Sequence, residues 1–188
     1  MFSIVTGALM LSVAAASNTT RLGGSSMNCG SAPFCGVLTL ETGDGDGNYA
    51  HKYPQLHGLW PQVGHYGTSE CVSPGGNKNT NVKQSMDCYT DAEFAQHEWE
   101  AHGYCAANDP HSFFTQACSL ARSPVQTMTT MKANGDSLDD MAAALTKDGY
   151  EVVFIDHDES QLELACCAGS NAQWKLSRTS DFSKNCHK

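Results

Sequence analysis

Apolar positions fall into three regimes along the chain. Before residue 62 they come in short blocks, with Gly36 to Leu40 reading as a strand and Leu56 to Trp60 as a second apolar segment. Between residues 90 and 147 they recur at helical spacing. One helix is predicted to start at Thr90, where Thr90 and Glu93 match a capping box, and to pass through Phe94, Ala95, Glu98 and Ala101 to a stop at Gly103. Further helices are predicted over 111–121 and 124–132, and from Ser137, with Asp140 in capping position, to Lys147. After residue 150 the pattern returns to β character at Glu151–Ile155, Gln161–Cys167 and Gln173–Leu176. Helices in the middle with strands on either side predict an α+β fold, a single domain in which a central sheet packs against several helices.

The polar blocks mark the connections. Thr42 to Asn48 alternates aspartate with glycine and reads as a solvated turn, because the downstream glutamate of an EF-hand calcium loop is missing. The Gly/Asn/Ser/Pro-rich stretch from 63 to 87 contains Cys71, is followed directly by Cys88, and reads as a long, substrate-facing loop held by disulfides. No internal repeat is present.

Composition narrows the setting. A chain of 188 residues is the size of one domain. Residues 1–16, MFSIVTGALMLSVAAA, read as a signal peptide, leaving 17–188 as the expected domain. No other segment approaches the ~20 apolar residues needed to span a bilayer. The nine cysteines are dispersed rather than gathered into CxxC pairs, which predicts disulfides in an oxidising compartment, either secreted or in a lysosomal or vacuolar lumen. Their odd number leaves at least one thiol free or paired between chains. Asn18-Thr19-Thr20 is a glycosylation sequon. The formal charge of −9 opposes binding to phosphates at neutral pH, but protonating all eight histidines brings it to about −1.

Two motifs carry the chemistry. The first, HGLWPQ from His57 to Gln62, sets a histidine before a glycine that permits a turn, a tryptophan face, and a proline that stiffens the exit. The second, HEWEAHGYC from His97 to Cys105, places Glu98 and His102 four residues apart and so on one face of the predicted helix. His97 lies about 100° around from Glu98. His97 and His102 are five apart rather than four, so the HExxH zinc-peptidase reading fails, and no cysteine has the context of a nucleophile.

Together, HGLWPQ and HEWEAHGYC resemble the two active-site segments of the ribonuclease T2 family, and the similarity extends more loosely from Cys35 to Cys186. The resemblance implies a disulfide-stabilised α+β domain with a central antiparallel sheet, cleaving single-stranded RNA through a 2′,3′-cyclic phosphate at acid pH. It implies no metal, no cofactor, no membrane association and no obligatory protein partner. RNA supplies its own 2′-OH nucleophile, so two histidines of opposite protonation state suffice. By resemblance His102 is the general base, His57 the general acid, Glu98 polarises or stabilises the transition state, His97 binds phosphate, and Trp60 stacks a base; sequence leaves the base and acid interchangeable. The implied disulfides are Cys71–Cys105, Cys35–Cys88 and Cys167–Cys186, with Cys29, Cys118 and Cys166 unassigned. Two positions depart from the family: Ala101 stands where a lysine usually precedes the second histidine, and Tyr104 stands where threonine is common. Ala101 and the acidic charge leave an alternative, a secreted RNA-binding or host-interacting protein of the same fold with weakened catalysis.

Overall fold

The computed structural model describes residues 27–62, 73–82 and 88–187. The predicted signal peptide, the sequon at Asn18 and the ten residues that include Cys71 lie outside this set.

Strand β1 (Phe34–Glu41) pairs antiparallel with β2 (Gln55–Pro61) on one side and with β4 (Gln161–Ala168) on the other. Along the far edge of β4 run β3 (Val152–Asp156) and the short β5 (Trp174–Leu176), so the sheet order is β2-β1-β4-β3 with β5 beside β4. The fold is therefore α+β, with a five-stranded antiparallel sheet.

The two-residue period of the strands sorts their side chains. Leu38, Leu40, Leu162 and Leu164 join Trp99, Phe113, Phe114, Ala117, Met128 and Leu145 in the main core. Cys35, Ala165 and Cys167 instead join a smaller cluster with Ala32, Phe182 and Cys186. Burying one large apolar side chain contributes about 1.5–3 kcal/mol, so the main core supplies most of what holds sheet and helices together.

The helices differ from their sequence readings in three ways. Helix α1 (Ala92–Glu98) is capped by Asp91, whose carboxylate accepts from the Glu93 and Phe94 amides, rather than by Thr90. Gly103 does not end it. The chain widens into a π turn over Trp99–Gly103 and closes as α2 (Tyr104–Ala106); Gly103 stays helical, and it is a glycine because a β-carbon there would crowd the Trp99 and Phe113 rings. The two helices predicted around Pro124 are one, α3 (Pro110–Asn134). An interior proline costs a helix about 3 kcal/mol, but Ala117, Ala121, Pro124 and Met128 form one buried stripe whose packing offsets it. Helix α4 (Leu138–Lys147) begins at Ser137 with the predicted Asp140 capping box, and a short α5 (Phe182–Asn185) closes the described chain.

The disulfides need one correction. Cys35 bonds Cys29, and Cys88 bonds Cys118, so the Cys35–Cys88 pairing implied by resemblance does not form. Cys35 belongs to the small cluster, where the turn before β1 delivers Cys29, whereas Cys118 of α3 packs against the main core beside Cys88. Cys167 and Cys186 are bonded, which ties α5 to β4. Cys105 is disulfide-bonded as well, and its implied partner Cys71 lies outside the described residues. Cys166 is a free, fully buried thiol, and burial drives its pKa well up.

Candidate active site

The site begins with an irregularity in β2. Thr39 of β1 pairs with Gly58 but its neighbour Leu40 pairs with Leu56, so His57 is the extra residue of a β-bulge. Bulges re-aim a side chain locally and favour active sites. Here the bulge turns His57 toward a polar row across three strands, in which Glu41 faces Gln55 of β2 and Gln161 of β4. The His57 Nδ1 lies 2.6 Å from Glu41 Oε1, and the Gln161 amide nitrogen is 3.1 Å from the same Nδ1. The buried Tyr89 hydroxyl donates to the His57 carbonyl and fixes the backbone.

Helix α1 closes the site from the other side. Glu98 is fully buried, with Oε1 3.5 Å from His57 Nε2 and Oε2 accepting from Trp60 Nε1 at 3.1 Å. The His57 contact is an ion pair at the limit of hydrogen bonding, and Glu98 Oε1 makes no hydrogen bond among the described residues. A buried acceptor without a donor costs about 1–3 kcal/mol, a cost characteristic of functional positions. Gly58 makes this approach possible, since a β-carbon there would overlap the Glu98 carboxylate and the Trp60 indole. Its φ is not positive, so the glycine serves close approach rather than the turn expected from sequence.

Trp60 links the two histidines. Its ring stacks on His102 with centroids 5.1 Å apart and meets the His57 ring edge-on at 4.9 Å, while Phe94 closes on His57 at 5.3 Å. Trp60, the residue expected to stack a base, thus sits against His102 and Glu98. His97 is exposed, yet its charge acts on His102. Ala101 is half-buried beside His102, and Tyr104 has Lys78 over its ring at 5.6 Å.

The two histidines are pushed to opposite protonation states. Burial works against a charge on His57, but the close contact with Glu41 and the attraction of both Glu41 and Glu98 overcome it and raise the pKa to about 9. Burial also acts on His102, where attraction from Glu98 is too weak to compensate and His57 and His97 add repulsion, so its pKa falls to about 4. Burial tends to raise the Glu41 pKa, yet the contacts with His57, His51 and Gln55 hold it below its ordinary value.

Sequence reasoning missed Glu41. It follows three apolar-patterned residues at the end of a predicted strand, a position that reads as a solvated strand terminus. No group of three or more His, Cys, Asp or Glu among the described residues is placed to hold a metal ion.

The sequence model of the ribonuclease T2 family matches residues 33–147, which span β1 through α4 and contain both motifs. The chain belongs to the ribonuclease T2 family. No curated protein and no solved structure matches it significantly. Membership supports endoribonuclease activity and a single-stranded RNA substrate as a class, and no helix among the described residues is long and apolar enough to cross a membrane.

Proposed function

We propose that the chain is a secreted endoribonuclease that cleaves single-stranded RNA by transesterification to a 2′,3′-cyclic phosphate, using His57, His102 and Glu98 without a metal. The observation that carries this reading is the pair of opposed histidines on one tryptophan, His57 held cationic and His102 held neutral. A neutral His102 can take the 2′-OH proton as the oxygen attacks phosphorus. The His57 Nε2 proton passes to the departing 5′-oxygen. Cyclisation leaves His102 protonated and His57 neutral, and hydrolysis of the cyclic ester would use the two in reverse. Glu98 keeps the imidazolium in place and supports its charge, and exposed His97 supplies a cation to a phosphate when protonated. Trp60 acts chiefly by holding His102 and Glu98 in register.

Ala101 sustains a second reading, a ribonuclease-like RNA binder of reduced activity. Losing a preorganised charge at the phosphate costs on the order of 10²-fold in rate. One experiment separates the two. The oxidised protein is incubated with single-stranded RNA at pH 5 and pH 7.5 with EDTA present, and the products are examined for 2′,3′-cyclic ends. Cyclic ends at either pH support the enzyme. RNA binding without cleavage supports the second reading, and abolition of cleavage by EDTA overturns the metal-free mechanism.

A further inference from the structure

Glu41 is occupied on both oxygens by histidines. Oε1 takes His57 Nδ1 at 2.6 Å, and Oε2 takes His51 Nε2 at 2.6 Å and the Gln55 amide at 3.2 Å. The other ring nitrogen of His51, Nδ1, lies 2.7 Å from the Tyr53 carbonyl. A carboxylate and a carbonyl only accept, so both His51 contacts are satisfied together only when the ring carries two protons. His51 is therefore placed as a second cation on the carboxylate that grips His57, and it is the more exposed of the two rings, at 19% against 11%.

We propose that Glu41 is the positioning residue for His57, and that His51 tunes how firmly Glu41 holds the His57 proton. Its consequence for rate rests on the ribonuclease reading above, whereas the coupling itself belongs to the folded chain. With Nδ1 committed to Glu41, the proton on Nε2 is the one His57 can give away, which fixes the orientation an acid needs. A carboxylate shared between two cations binds each less tightly than one cation alone. Charging His51 also adds direct repulsion to His57, so His57 becomes a stronger acid while His51 is protonated.

The surroundings leave this balance to the three groups. From α3, Lys132 binds the Thr42 and His51 carbonyls and is itself paired with Asp44 at 2.9 Å. Tyr49 lies 5.8 Å from the His57 ring and is kept protonated by burial and by Glu159, Glu41 and Asp156. The neutral Gln55 and Gln161 complete the row, and Glu98 acts on the opposite nitrogen of His57. On the far side of Trp60, a charge on His102 is opposed by His57 and His97.

The test is an NMR titration of the histidine rings in the oxidised full chain, comparing wild type with Glu41→Gln and His51→Gln. Pairing with one opposite charge moves a pKa by about 1–3 pH units, so Glu41→Gln should lower the His57 midpoint by at least about one unit and His51→Gln should raise it. The alkaline limb of kcat/KM for a dinucleoside monophosphate should move the same way in each variant, and kcat at pH 5 should fall several-fold in His51→Gln. Shifts of one sign in both variants, or no shift in either, overturn the proposal. If Glu41→Gln fails to fold, the sign of the His51→Gln shift decides alone. Should wild type cut no RNA, the ribonuclease reading fails while the NMR midpoints still decide the coupling.

Discussion

A β-carbon at position 58 would collide with the Glu98 carboxylate and the Trp60 ring, so Gly58→Ala must displace one of the groups that align the histidines. Overpacking of this kind costs about 1–3 kcal/mol, and a displacement near 1 Å costs about 10²-fold in rate. The variant should show a lower urea midpoint together with a roughly hundredfold fall in kcat on a dinucleoside monophosphate; full activity would show that Glu98 is not held where the chemistry needs it. Position 101 makes the opposite prediction. Ala101 is half-buried next to a neutral histidine, and a lysine there would bring a cation to the phosphate. Ala101→Lys should raise kcat/KM by about 10-fold or more, up to the ~10² of comparable charge stabilisers, with little change in thermal midpoint. An unchanged rate would mean that another cation already fills this role. The candidate site residues were legible in sequence because HGLWPQ and HEWEAHGYC, taken together, resemble the two active-site segments of the ribonuclease T2 family, whereas either motif alone has an ordinary structural reading. Glu41 was not, because its role depends on which strand lies beside β1, a long-range pairing that no local pattern encodes.

At the scale of elements, the strands and α4 follow closely from alternation and capping, since both signals are local. The departures come where packing overrules local preference. The π turn widens α1 so that Trp99 and Phe113 can pack against Gly103, and the β-bulge removes His57 from the strand's simple alternation. Both irregularities fall at the candidate site, and periodicity arguments that assume regular geometry cannot anticipate either. Helix α3 shows the same override through Pro124, which is buried and interior. Replacing it with alanine restores a backbone donor and relieves a helix penalty of about 3 kcal/mol, against a smaller loss of buried methylene surface of about 1–2 kcal/mol. Pro124→Ala should therefore raise the thermal midpoint by several degrees, measured by circular dichroism with the disulfides intact. A lower midpoint would show that the proline ring fills space in the core that alanine leaves empty.

For the molecule as a whole, catalysis and charge set separate pH limits. The productive state needs His102 neutral and His57 cationic, hence a pH above about 4 and below about 9. Folding linkage runs through the same groups. Because the folded pKa of His57 lies above its ordinary 6.5, its contribution to stability is complete below 6.5 and is lost as the pH rises through about 9. His102 is depressed, so its contribution holds above 6.5 and is lost as the pH falls through about 4. The thermal midpoint should accordingly be highest near pH 6–7 and decline on both sides, as a scan from pH 4 to 9 would show.

Within the catalytic window, charge governs how polymeric RNA approaches. A chain at −9 repels a polyanion, and since His57 stays cationic and His102 neutral across this window, protonating the six other histidines takes the net charge from about −8 to about −2. A dinucleoside monophosphate carries one phosphate and feels little of this field, whereas a long strand feels it at many phosphates together. From pH 7.5 to pH 5, kcat/KM should therefore rise steeply on polymeric RNA and only modestly on the dinucleoside. The polymer's advantage at pH 5 should also shrink as salt approaches 1 M, where the screening length falls to about 3 Å. Parallel profiles for the two substrates, insensitive to salt, would place the acid preference inside the catalytic cluster rather than in the field of the whole protein.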